Sequence, residues 1–524
     1  MKSQLTATGR WLALSAAILG WMFDGLEMGL FPLAARPALN EILFEPVAEA
    51  DMTKEIKDSR EPTIKIWYAV MTANFLIGAA TGGVLFGWLG DRLGRVRAMA
   101  LSVLTYALFS GLCGTATSVE LLFLWRFIAS LGMGGEWALG VSLVMELWPS
   151  QSRGWLAGLI GAASNVGFVL IAFVSMGINE YMQSLESVMT SAGLPEWIVT
   201  TLMANNAWRF LMICGAFPAL LTFLIRVFVP ESERWLEEQG KGSTSHWATQ
   251  DLLGVLLGSL GPLTMIYLWA VDDLTWLGIP ANMNWTVRWV TFLPLLGIAV
   301  AGYIYPVRRY LARARAAGET TGLTAIGGRP VVTMMLIGAS LSGVALMGTW
   351  GSLQWAPVWV GKMTEGQPEL HAKEWVQIVT GIGAICGTIG AALIGHTFGR
   401  RLTYVGMCVL SLISVIAMYQ LNKSFGIQLL ITAFFAGGIT ASFYGWLPLY
   451  LPELFPTRVR ATGQGFSFNF GRILAAAGAL QQIALTNFFQ GDYVKAGCVM
   501  SLIYLVGVVV IWLAPETKGQ ELME

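Results

Sequence analysis

The chain has 524 residues, 55% hydrophobic and only 12% charged, where a soluble globular chain carries about 25% charged residues, so much of its surface is built to face something other than water. Lysine plus arginine and aspartate plus glutamate balance at 32 each, so net charge says nothing about nucleic acid, and no basic patch is large enough to suggest such a partner. Five scattered cysteines (Cys113, Cys214, Cys386, Cys408 and Cys498) lack any CxxC pairing and suggest neither a metal site nor a disulfide framework.

Crossing a bilayer takes about 20 mostly apolar residues in a helix. Segments of that kind lie near 11–36, 66–90, 98–117, 119–148, 154–178, 208–230, 251–271, 287–307, 331–360, 374–396, 402–421, 426–451, 462–486 and 495–514. The first holds Asp24 and Glu27 and shows no small-residue cleavage site, so it reads as a span rather than a removed signal peptide. These segments predict an all-α membrane protein of 14 transmembrane helices, with both termini on one side. Arginines collect in alternate short connections: Arg92, Arg95 and Arg97, then Arg153, then Arg308, Arg309, Arg313 and Arg315, then Arg400 and Arg401, then Arg458 and Arg460. The positive-inside rule puts these connections and both termini in the cytoplasm, with the chain in an inner membrane. Two outward segments, 38–65 and 179–207, are long enough to hold structure. The second has helical spacing and reads either as a helix along the membrane surface or as a partly ordered loop.

An internal repeat organises these spans. The second ends in GWLGDRLGRVR and the tenth in GHTFGRR; the fourth ends in MELWPSQSRGWLAG and the twelfth in PELFPTRVRATGQG. The sixth exits into Pro230-Glu231-Ser232 and the fourteenth into Pro515-Glu516-Thr517. Three matched features in one order predict two six-helix bundles, 1–235 and 329–524, with a linker and an inserted two-helix hairpin at 236–328. Paired repeats of this kind build secondary transporters, with the site near the midplane between the halves.

The loop from Gly87 to Arg97 sets Gly87, Asp91, Arg92, Gly94 and Arg97 in a G-x3-D-R-x-G-x-x-R spacing, with Arg95 within it. Glycines permit a tight turn, and an acid with several arginines can bridge neighbouring helix ends. This loop resembles the signature of the major facilitator superfamily, and the repeated span plan agrees with it over the whole chain. The resemblance implies alternating access by rocking of two bundles, with Asp91 and the nearby arginines holding the cytoplasmic side closed. The second copy, with Arg400 and Arg401, lacks the acid. Glu146 and Glu453, at cytoplasmic helix ends, are assigned to the same gating structure. More narrowly, the run from Arg126 to Gly132-Met-Gly134-Gly135-Glu136-Trp137 and the Phe23-Asp24-Gly25-Leu26-Glu27 string resemble sialate:proton symporters and their metabolite:proton relatives.

Ionisable groups at midplane depth are costly and usually functional. Asp24 lies about 21 Å along the first span from Arg10, and Glu27 about one turn further. Arg126 lies about 9 Å into the fourth span, Glu136 about 15 Å deeper, and Arg472 about 18 Å into the thirteenth. Arg472, together with Arg126, suits a carboxylate substrate, because a guanidinium matches it with two parallel hydrogen bonds. Asp24, Glu27 and Glu136 are the candidates to carry a proton, and substrate capture of the arginine would release an acid to be protonated. The competing reading makes Glu136, Arg472 and an Asp24–Arg126 pair structural. Trp350, Gln354, Tyr444, Asn469 and Asn165 fill out the substrate site. Of the histidines, His246 and His371 fall in loops and His396 at a cytoplasmic end, away from a proton path.

The expected function is therefore proton-coupled symport of a small organic acid, sialate-like or a monocarboxylate, by a monomer needing no cofactor and no metal. A sugar or neutral-metabolite carrier is the alternative, and a nontransporting membrane sensor a weaker one. No nucleophile–base pair or phosphate-binding loop suggests an enzyme.

Overall fold

The computed structural model describes residues 7–523 apart from 46, 48–52, 219–220, 222–224, 226–227, 271–273, 320, 365 and 368–369. At 7, 32–33, 54, 57–58, 175–183, 206, 270, 281 and 477–487 it describes the backbone alone. Eighteen α-helices account for the described chain, with short 3-10 turns between them. They are α1 (Ala7–Leu43), α2 (Lys54–Leu93), α3 (Arg95–Cys113), α4 (Val119–Leu147), α5 (Arg153–Ser191), α6 (Glu196–Cys214), α7 (Glu233–Gly240), α8 (Leu252–Ala270) and α9 (Asn284–Ala316). There follow α10 (Val331–Ser352), α11 (Ala356–Met363), α12 (Ala372–Phe398), α13 (Arg400–Leu421), α14 (Ile427–Ala441), α15 (Phe443–Tyr450), α16 (Arg460–Phe488), α17 (Tyr493–Ser501) and α18 (Ile503–Val510). Among the described residues twelve stretches are long and apolar enough to cross a membrane, including Thr249–Trp269 and Asn284–Ala316. The sixth sequence segment, 208–230, runs into residues outside the described set, as do the side chains of the thirteenth from 477 to 486.

Local chemistry sets the helix ends. Ser118 caps α4 by accepting from the Leu121 N–H at 3.2 Å, with Glu120 in the first turn where the helix dipole favours it. Between α2 and α3 the chain turns through Gly94 at φ 110°, and between α12 and α13 through Gly399 at φ 102°. Only glycine takes that backbone without strain, which is why both copies of the repeat keep it. Three spans read as continuous are broken: α10 gives way to a 3-10 turn at Leu353–Trp355 before α11, α14 stops at Ser442 before α15, and α17 stops at Leu502 before α18. Interrupted helices free backbone groups at depth, and such breaks occur where a membrane protein lines a cavity or a site.

In the first half α2, α3 and α4 pack together and α1 packs on α4, α5 and α6; in the second α10 packs on α16 and α12 on α14. The halves meet along two seams, α2 against α16 and α5 against α12 and α15. The α8–α9 pair packs on α2 and also touches α16, and Tyr303 of α9 hydrogen-bonds Thr81 of α2 at 2.7 Å. Both ends of the described chain lie at one end of the molecule, called the base below: Trp11 packs on Trp148 at 5.0 Å, and the Met523 carbonyl accepts from Arg460 at 2.6 Å.

At the opposite end, α2 with 40 residues and α5 with 39 are about 60 Å long, twice the roughly 30 Å of a hydrocarbon core. The 179–207 stretch is thus neither a separate surface helix nor a loop: it completes α5, turns at 192–195 and begins α6. Glu41 ties this region together. It accepts from Asn205 and Trp208, each at 2.7 Å, and from Arg209 at 2.8 and 3.1 Å, across a kink in α6 where Asn205 and Ala207 have φ near 50°. Burial pushes the Glu41 carboxyl up, but hydrogen bonds from Trp208, Asn205 and Arg209 outweigh it and hold it below its ordinary range. Its stabilising share is therefore full above the free value of about 4.3 and is lost as pH falls through the lower folded value. Glu41→Gln should lower the melting temperature at pH 7 and flatten the loss on acidification; a melting curve parallel to wild type across that range would contradict it.

Candidate functional site

Asp24 of α1, Glu136 of α4 and Arg472 of α16 come together where the two halves meet. Their exposures are 0, 1 and 3%, so the group is occluded. Glu136 places its carboxyl against Gly20 of α1, one turn before Asp24, where any larger residue would collide with it. Asp24 lies beside Glu136 and within electrostatic reach of Arg472 and, more weakly, Glu27. No described N–H or hydroxyl donor reaches either carboxyl, which leaves Asp24 and Glu136 to share a proton between themselves, and one Arg472 nitrogen is likewise without an acceptor. Isolated buried charge of this kind is expensive, and nearly all buried polar groups elsewhere in proteins are satisfied. Unmatched acids facing an unmatched guanidinium are suited to take up a proton and an anion.

Aromatic rings wall this group. Trp137 stacks on Phe468 with centroids 3.8 Å apart, Trp21 stands 6.4 and 6.2 Å from the two, and the Arg472 guanidinium lies 5.6 Å over Phe468. None of the three rings is among the candidate site residues read from the sequence, where Trp137 figures only as the end of the Gly134-Gly135-Glu136-Trp137 string. Their spacing carried the signal, since Trp21 lies three residues before Asp24, Trp137 adjoins Glu136 and Phe468 lies four before Arg472, all within one helical turn.

The other candidates divide. Glu27 pairs with Arg126, not with the central group, and accepts from Ser110 at 3.1 Å. Arg126 is sandwiched by Phe31 and Phe75 at 4.1 and 4.4 Å. Tyr444 stands two residues past the helix break at Ser442 and within electrostatic reach of Arg472. Asn469 donates across the seam to the Gly134 carbonyl at 2.9 Å. Asn165 donates to its own helix, at the Gly161 carbonyl, 3.2 Å away. Trp350 packs against an apolar cluster drawn mainly, not wholly, from the first half, while Gln354 is exposed in the 3-10 turn after α10. Among the described residues no group of three or more His, Cys, Asp or Glu side chains could hold a metal.

The base is locked. Asp91 accepts from the Ala461 and Thr462 N–H groups at 3.2 and 2.8 Å and from the Thr462 hydroxyl at 2.6 Å, so a carboxylate of α2 caps the N-terminal turn of α16. Gly87 makes this possible, because a side chain there would strike the Ala461–Thr462 backbone. Arg95 pairs with Asp91 at 2.8 Å and Glu146 at 3.3 Å and donates to the Thr457 carbonyl at 2.7 Å. Glu146 also receives Arg460 from the second half at 2.7 Å. Deeper, Gln464 donates to the Ala138 carbonyl at 2.5 Å. Arg92 sits at the edge, donating to Thr249 at 2.7 Å.

The same device recurs in the second half. Arg400 pairs with Glu453 at 2.5 Å and donates to the Gly395 carbonyl, as Arg95 pairs with Glu146 and donates to Gly90. Glu516 accepts from the Arg400 and Arg401 N–H groups, as Glu231 accepts from Arg95 and Val96. Thr517 bonds Glu453 and Ser232 bonds Glu146. Arg401 turns outward to the Ala514 carbonyl at 2.7 Å. Burial pushes the Glu231 carboxyl above its ordinary range, while at Glu516 four backbone donors overcome burial and hold it below. His396 stands where the first copy has Asp91, against Gly154 of α5, so the second seam lacks a carboxylate cap on the facing helix.

Comparison with known proteins agrees with this architecture. Residues 17–256 and 367–524 match the family described as sugar (and other) transporter. The niacin transporter NiaP of Acinetobacter baylyi is 24% identical over 513 residues, covering 96% of this chain and 93% of the relative. The cis,cis-muconate transport protein of the same species is 24% identical over 404 residues, covering 76% of this chain and 74% of the relative. The solved structure of the proton:xylose symporter XylE superposes with a TM-score of 0.63 at 18% identity and covers 98% of both chains.

Proposed function

Because the chain belongs to the sugar (and other) transporter family, a secondary transporter of the major facilitator superfamily, we propose that it carries a small organic acid together with a proton by alternating access. One observation carries this reading: two adjoining acids and an arginine, occluded and with no other described hydrogen-bond donor on the acids, lie between the halves. Arg472 would take the substrate carboxylate as a two-point fork. That withdraws its charge from Asp24 and Glu136, one of which then holds a proton, and the loaded site is nearer neutral when the base opens. Glu27 and Arg126 form a second charge pair in the same bundle. Trp21, Trp137 and Phe468 offer flat apolar walls beside the cation, which suits a planar, unsaturated acid. Niacin and muconate, carried by the two relatives, are acids of that shape; the Gly134-Gly135-Glu136-Trp137 resemblance keeps a sialate-like acid within the class.

The base is the cytoplasmic side in this reading, because arginines gather there, and the chain is a monomer in the inner membrane. The fourteen-span plan, with bundles 1–235 and 329–524 around a hairpin at 236–328, is supported by the membrane-length pair Thr249–Trp269 and Asn284–Ala316. A sugar carrier is the second reading, favoured by the likeness to a xylose symporter. A thermal-shift screen of purified protein separates them, since a ligand of the folded state raises its apparent stability. Nicotinate or cis,cis-muconate should raise the melting temperature and xylose or glucose should not; stabilisation by a sugar alone would sink the acid reading.

A further inference from the structure

Tyr106 of α3 is fully buried and its hydroxyl has no hydrogen-bond partner among the described residues. It is held in place from the backbone up: α3 lies so close to α4 that any side chain at Gly132 would strike the Tyr106 backbone. Ser102, Tyr106 and Ser110 are spaced four apart and so share one face of α3. Ser102 donates to the Gly132 carbonyl of α4, and Ser110 donates to Glu27 of α1 at 3.1 Å. Tyr106 stands one turn from each, and the carboxylates that act on it are Glu136, Asp24 and Glu27. The surrounding helices present few other charges. From α4 there are Arg126 and Glu136 and from α1 Asp24 and Glu27. Helix α2 brings Tyr68, within reach of Arg126, and its Asp91 lies at the base. Helix α6 brings Arg209, which is taken up by Glu41 and the Gly114 and Ala116 carbonyls. A buried, unmatched hydroxyl one turn from the serine that bonds Glu27, and within electrostatic reach of Glu136 and Asp24, is the feature that the transport reading leaves unexplained.

We infer that Tyr106 is a positioning residue for the proton, its hydroxyl linking the Glu27–Arg126 pair to the Asp24–Glu136 pair. This rests on the proton-coupled reading above and deepens it. A protonated Glu27 gives its proton to the phenol oxygen while the phenol O–H passes its own to an ionised Asp24 or Glu136. Two O–H bonds break, at Glu27 and at the phenol, and two form, at the phenol oxygen and at the accepting carboxylate; rotation of the hydroxyl then restores the starting phenol. The Glu27–Arg126 pair is then the receiving station and the central acids the loaded site.

Tyr106→Phe removes the hydroxyl and keeps the ring. In proteoliposomes supplied with labelled nicotinate, accumulation driven by a pH gradient should fall at least about 10-fold, while nicotinate exchange without a gradient falls far less. Replacing Tyr106 by 3,5-difluorotyrosine, which lowers the phenol pKa with little change in shape, should move the pH dependence of accumulation to lower pH. Wild-type accumulation with an unchanged pH profile in both variants would overturn the relay. A parallel fall of exchange, accumulation and melting temperature would also overturn it, by assigning the ring a packing role. If wild-type protein carries nicotinate with no proton movement, the proton-coupled reading itself fails and takes the relay with it.

Discussion

Arg472→Ala should reduce uptake of an acidic solute by about 100-fold or more, because breaking a buried, charge-assisted interaction costs about 3–5 kcal/mol. The guanidinium is 3% exposed and faces Asp24 across the seam between halves. No other described cation has been placed with this group, since Arg126 is engaged by Glu27 and flanked by two rings, so nothing nearby can replace Arg472. The protein should still fold, because Asp24 and Glu136 can each be neutralised by a proton once the cation is gone. Arg472→Lys keeps the charge and loses the two-point fork, so it should retain a measurable fraction of uptake with weakened binding. Initial rates and binding of labelled nicotinate check both variants. Full uptake by Arg472→Ala would remove the carboxylate clamp from the account.

Asp91→Ala should unlock the base. The carboxylate holds three donors at the start of α16 and pairs with Arg95, so one side chain joins the two halves. Losing it leaves Arg95 with Glu146 and uncaps a helix N-terminus, together worth about 3 kcal/mol, or about a 100-fold change in the equilibrium between closed and open base. Spin labels at Leu93 and Phe398, both exposed and on opposite halves near the base, should report a longer distance in the variant. Accumulation should drop because the closed base is no longer the resting state. An unchanged distance would show that Arg95, Glu146, Arg460 and Gln464 suffice without the cap. His396→Ala, at the matching position of the second copy, should have a much smaller effect, because the histidine caps nothing across its seam.

The helical spans, the internal repeat and the deep charges were legible because each leaves a pattern within a short window. A membrane helix is long and apolar, a tight turn needs glycine, and an ionisable residue inside an apolar run stands out. Reading depth along each span brings Asp24 or Glu27 to Arg126 and sets Arg472 across from the first half's acids, whereas the structure joins Arg126 to Glu27 and brings Asp24 to Glu136 and Arg472. What a single helix cannot state is its rotation against its neighbours. Glu27 is three residues from Asp24, yet it turns to Arg126 and Ser110 of α4 and α3 while Asp24 meets Glu136 and Arg472. Asn469 is three residues before Arg472 and spends its amide on the Gly134 carbonyl of α4. The base was read only in part: the signature loop pointed to Asp91 and the arginines, but their partners on α16, Ala461, Thr462 and Gln464, carry no charge and left no mark in composition. The helix breaks at Ser442 and Leu502 were hidden for a related reason, since both lie in apolar runs with no proline or charged residue at the break. The outward lengths of α2 and α5 were missed because apolarity reports the part within the membrane and falls silent beyond it.

The central claim is that proton and organic acid move together through one site. Proteoliposomes loaded with a pH-sensitive dye, with equal pH on both sides and the membrane voltage clamped, test it most directly. Adding nicotinate or cis,cis-muconate outside should acidify the lumen in wild-type vesicles, with no acidification in Arg472→Ala vesicles. Entry of labelled acid with a steady internal pH, or acidification that persists in Arg472→Ala, would contradict the account.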